Sequence, residues 1–88
     1  MRVNYKPRIQ VLFVENDDKI AKSFCEELFR RNVFVFHVKN LKSAIEAFKE
    51  AEVDIVISDG MFPARAGKTE QKNFIPLVHE IRRYRKTA

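Results

Sequence analysis

The 88-residue chain is 45% apolar and 33% charged, which leaves room for one domain with a thin core and excludes both a second domain and an intrinsically disordered chain. No apolar run approaches the roughly 20 residues a membrane helix needs, no apolar N-terminal segment directs secretion, and the lone cysteine, Cys25, cannot form an internal disulfide, so a cytoplasmic protein without a membrane partner is expected. The net charge of +5 belongs to the ends, +3 from residues 1–8 and +3 from residues 79–88, leaving −1 for residues 9–78; the body lacks the basic footprint of a nucleic-acid binder, and such binding is not expected.

Residues 1–8, MRVNYKPR, read as a polar lead-in, and residues 9–88 as the single domain. IQVLFV (9–14) is continuously apolar but for Gln10 and rich in β-branched and aromatic residues, the pattern of a strand covered on both faces. From Asp17 the period becomes helical. Ile20, Phe24 and Leu28 recur at four-residue steps beside Ala21 and Cys25, with Asp17 as N-cap and Asn32 as a left-handed residue at the C-terminal end. VFVFHV (33–38) is a second strand. Leu41, Ala44, Ile45, Phe48 and Ala51 then mark one face of a second helix capped by Asn40. VDIVIS (53–58) is the third strand, and DGMFPARAGKTEQKN is a long polar connection punctuated by Gly and Pro. In FIPLVHEIRRYRK the stripe of Leu77, Val78, Ile81 and Tyr84 predicts a last helix, with Pro76 in its first turn. The order β-α-β-α-β-α implies right-handed crossovers and an α/β fold with a parallel sheet flanked by helices.

In such sheets chemistry collects at the carboxyl ends of the strands. The first strand ends at Val14 and is followed by Glu15, Asn16, Asp17 and Asp18; the third ends at Ser58 and is followed by Asp59. If these strands are neighbours, the acids gather at one sheet edge, where mutual repulsion favours a bound cation. Hard oxygen donors suit Mg²⁺, whereas Zn²⁺ prefers Cys and His. Each acid also has an ordinary role available: Asp17 or Asp18 caps a helix, and a polar residue after a strand is common in loops. His37 reads as a strand side chain, His79 as a helix-surface residue, and Cys25 as part of the core. AGKT (66–69) lacks the glycine that a phosphate-binding loop requires four residues earlier, and RRYRK reads as a solvated, cationic helix end.

VLFVENDDKI followed by VISDGMFP resembles the receiver domain of two-component response regulators, over essentially residues 9–85. That family carries an acidic pair after its first strand, a phosphoryl-accepting aspartate after its third, and then two hydrophobic residues and a proline, matched here by Met61, Phe62 and Pro63. The resemblance implies flavodoxin-like topology with strand order 2-1-3. It makes Asp59 the phosphoryl acceptor, with Mg²⁺ on Glu15, Asn16, Asp59 and the Met61 carbonyl and with Asp17 as a further oxygen donor nearby. It implies a phosphoacceptor domain rather than an enzyme with a separate substrate, served by a sensor histidine kinase or another phosphodonor. A phosphorylation-independent interaction module on the same scaffold is the alternative.

The chain departs from the family in two ways. Asn16 stands where an acid usually touches the metal. The last two βα units are lacking, and with them the switch Ser or Thr and the conserved Lys. Without a fourth strand, VDIVI is an edge with unpaired backbone groups, so a homodimer through that edge is expected.

Overall fold

The structure is a computed structural model that describes residues 9–87, and of Lys86 and Thr87 the backbone alone. The lead-in, residues 1–8, lies outside the described residues. The elements run β1 (Ile9–Val14), α1 (Asp18–Arg30), β2 (Val33–Val38), α2 (Leu41–Glu50), β3 (Ile55–Ser58), β4 (Phe62–Pro63), β5 (Glu70–Gln71) and α3 (Phe74–Thr87). The first three strands form a parallel sheet in the order β2-β1-β3, as expected. Among the described residues no helix is long and apolar enough to cross a membrane.

β1 is central because it can be wet on neither face: Val11, Leu12, Phe13 and Val14 are all buried. Its alternation sorts the helices into layers. Leu12 and Val14 point into the larger core, where Ala44 and Phe48 of α2 and Leu77 of α3 join them; Val11 and Phe13 point to the other face and meet Ala21, Phe24 and Cys25 of α1. One helix thus covers one face and two cover the other.

Local chemistry sets the helix ends. Asp17 Oδ1 accepts the Lys19 and Ile20 N–H groups at 2.9 and 3.1 Å, satisfying two donors that the first turn leaves free. Asn32 closes α1 with φ 63°, a conformation its short polar side chain tolerates. Asn40 Oδ1 accepts the Ser43 N–H at 2.9 Å and starts α2.

Four expectations need correction. Ile20 is 55% exposed, because the buried stripe of α1 runs through Ala21, Phe24, Cys25 and Leu28, and Ile20 lies one 100° step off its centre. Val78 is 40% exposed beside the buried Leu77 for the same reason. The third strand begins at Ile55 rather than Val53. Asp54 meets β1 in another way: its N–H donates to the Gln10 carbonyl and its carboxylate accepts the Gln10 N–H, both at 2.8 Å. Finally, the connection after Asp59 contains an antiparallel two-stranded ribbon, Phe62 opposite Gln71 and Pro63 opposite Glu70. The ribbon is anchored by Phe62, which is fully buried. The buried Asn73 amide donates to the Phe62 carbonyl at 2.7 Å, and the Lys42 N–H at the start of α2 donates to the Ala64 carbonyl at 3.0 Å.

Candidate functional site at the carboxyl ends of β1 and β3

Val14 and Ser58 are register partners, the last residues of two adjacent parallel strands. The chain leaves β1 at Glu15 and β3 at Asp59, and the Asp59 N–H donates to the Val14 carbonyl at 3.0 Å. Main-chain hydrogen bonding therefore sets the roots of Glu15 and Asp59 side by side, as the sequence anticipates. On the other flank the Glu15 N–H donates to the Val38 carbonyl at 3.0 Å, so Glu15 leaves the sheet tied to β2.

The side chains divide the work. Glu15 Oε2 accepts the Asp17 N–H at 3.0 Å, which folds the turn into α1. Asp17 holds the helix through Oδ1, and Asp18 pairs with Lys39 Nζ at 3.0 Å. Asp59 is exposed at the sheet edge, with Oδ1 accepting the Gly60 N–H at 2.7 Å. The Ser58 hydroxyl donates to the Asp59 carbonyl at 2.7 Å. Met61 is 45% exposed and lies between Asp59 and the ribbon.

Two residues join this edge that sequence reasoning leaves out. Glu70 of β5 accepts a hydrogen bond from Asn16 Nδ2 at 3.0 Å. A carboxylate only accepts, so the amide must turn its nitrogen to Glu70, which leaves Oδ1 as the acceptor for anything else at the site. His37 Nε2 donates to the Glu15 carbonyl at 2.8 Å. Its signal lies in the sheet register, where His37 is the partner of Phe13; Glu70 has no signal short of knowing that β5 folds back to the sheet.

The donors that the resemblance would give Mg²⁺ (Glu15, Asn16, Asp59 and the Met61 carbonyl) are all hard oxygens, a chemistry that suits that ion. Among the described residues, no three His, Cys, Asp or Glu side chains are grouped closely enough to hold a metal ion. The donor chemistry fits, and the carboxylates stand apart as side chains of adjacent strand ends rather than as a closed cage. Comparisons with protein-family models, with curated proteins and with solved structures return no match to this chain.

Proposed function

We propose that the chain is a receiver-like domain of a phosphorelay in which Asp59 accepts a phosphoryl group. The observation that carries this reading is the hydrogen bond from the Asp59 N–H to the Val14 carbonyl, which roots the candidate nucleophile beside Glu15 and Asn16 at the carboxyl end of a parallel sheet. The exposure of Asp59 supports it too, since a donor protein must reach the carboxylate. In the transfer, an Asp59 carboxylate oxygen forms a bond to phosphorus as the phosphorus–nitrogen bond of a phosphohistidine breaks. The leaving nitrogen keeps the bonding pair and takes a proton from solvent. Glu15, Asn16, Asp59 and the Met61 carbonyl would hold Mg²⁺, which supplies neutralisation of the phosphoryl oxygens. Asn16 contributes an amide oxygen in place of a charge, and Glu70, by fixing the amide, keeps that oxygen available.

Intact-mass spectrometry after incubation with a small phosphodonor tests this directly. One added phosphoryl mass is expected with Mg²⁺, none without it, and none in Asp59→Ala. Asn16→Asp should tighten Mg²⁺ binding by restoring a ligand charge, read by titration. A folded, unmodified wild type in the presence of Mg²⁺ overturns the phosphoacceptor reading. That outcome favours the second reading, an interaction module on the same scaffold, for which the uncovered apolar side chains of β3 speak.

A further inference from the structure

Among the described residues β3 pairs with β1 alone and so forms an edge of the sheet. Because the Asp59 N–H reaches Val14, the alternation of a parallel ladder turns the main-chain groups of Ile55 and Ile57 toward β1 and those of Val56 and Ser58 outward. Side chains alternate the other way. Val56 shares the face of Leu12, beneath α3, while Ile55 and Ile57 share the face of Val11 and Phe13. α1 packs on that face over β1 and β2 and leaves Ile55 46% and Ile57 36% exposed. On the α3 side a groove of about 350 Å³ opens between Val56, Ser58, Phe74, Val78 and Ile81, with Phe74 and Val78 39% and 40% exposed. Charge does little to blunt this edge, since the Asp54 carboxylate is turned back onto the Gln10 N–H.

We infer that a second copy of the chain occupies this edge, its β3 running antiparallel about a two-fold axis at Val56, to give one six-stranded sheet. The register follows from three constraints. The outward main-chain groups belong to even-numbered residues, so even residues must face even residues. Centring on Val56 then sets Ile55 opposite Ile57 of the copy, both on the uncovered face. It also keeps Ile55 clear of an acid: a full step toward Asp59 would set Ile55 against that residue of the copy. Val56 exchanges two main-chain hydrogen bonds with its copy, and the Ser58 N–H of each chain reaches the Asp54 carbonyl of the other. The axis is closed, so assembly stops at two.

The area suits a weak, reversible pair. Ile55, Ile57, Phe74, Ile75 and Val78 together expose on the order of 350 Å² per copy, so that a symmetric pair covers roughly 700–900 Å² once Val56 and Ser58 are added, the size of a transient interface. The opposite edge, β2, borders a groove that includes Glu26 and Arg30; a copy docking there would have to desolvate those charges.

Sedimentation equilibrium on the full chain over a concentration series reads the assembly. A reversible monomer–dimer equilibrium is expected, with the Val56 and Ser58 amides slowed in hydrogen exchange as the dimer fills. Val56→Pro removes an outward N–H while sparing the ladder to β1, and Ile55→Lys places a charge at an exposed position; each should weaken dimerisation about tenfold or more with an unchanged circular-dichroism spectrum. Should Val56→Pro fail to fold, Ile55→Lys decides alone. Phe34→Lys, on the β2 edge, should leave the dimer intact. A wild type monomeric at every concentration, a dimer indifferent to Ile55→Lys, a dimer lost in Phe34→Lys, or a dimer whose Val56 and Ser58 amides exchange freely each overturns the inference.

Discussion

Cys25 illustrates how the α1 layer changes a single side chain. Packed against Val11, Phe13 and Ala21, its thiol is held above the ordinary cysteine range by desolvation of the charged form. An acid whose neutral form the fold favours keeps its proton longer when folded than when unfolded. Its contribution to stability is therefore present below the unfolded pKa and lost as pH rises through the folded value. Iodoacetamide should accordingly modify Cys25 more slowly in the native chain than in urea between pH 8 and 9, with the gap narrowing at higher pH; equal rates would place the thiol in solvent. At this scale the sequence was most legible where a side chain acts on its own backbone. Asp17 and Asn40 start helices through contacts within three residues, and Asn32 closes one through its own left-handed φ, so their types and positions sufficed. Asn16 shows the limit: its partner Glu70 is 54 residues away, and no local rule reaches so far.

The β4–β5 ribbon is the element the sequence hides. Two-residue strands carry no period, and Phe62 stands among Gly, Pro and charged residues that read as loop, yet it is among the largest fully buried side chains. Longer elements disclose themselves because several turns or alternations repeat the same message. Ile20 and Val78 lie outside the buried stripes because a stripe of four residues leaves its flanks undefined to about one helical step. What holds the ribbon is specific. Asn73 is 7% exposed and donates to the Phe62 carbonyl. Asn73→Ala should cost about 1–3 kcal/mol in urea unfolding, since a buried carbonyl loses its donor. A change within about 0.3 kcal/mol would mean that water replaces the amide at no loss.

At the scale of the whole molecule, stability rests on unequal layers. The face under α2 and α3 holds Phe62, Leu12, Leu77 and Val14, all fully buried, whereas the face under α1 leaves the β3 isoleucines in solvent. Large-to-small substitutions should reveal this asymmetry. Leu77→Ala is expected to cost about 2–5 kcal/mol and Ile55→Ala under about 1 kcal/mol in the monomer, measured by chemical denaturation at low protein concentration. Equal costs would show that both faces contribute alike. The parallel sheet with right-handed crossovers was legible because alternating strands and helices admit few topologies; the order 2-1-3, which the structure has, was implied by the resemblance alone.

That order also dictates a timetable. β1 is the strand made first, yet it is the one that both others need, and Gln10 meets Asp54 across 44 residues. At a ribosomal pace of about 5–20 residues per second, IQVLFV therefore waits roughly 2–9 s for its second neighbour to be synthesised. Through that interval the strand that ends most deeply buried lacks a partner on its β3 side, so a holdase that binds short apolar stretches would find a target at residues 9–14 of the nascent chain.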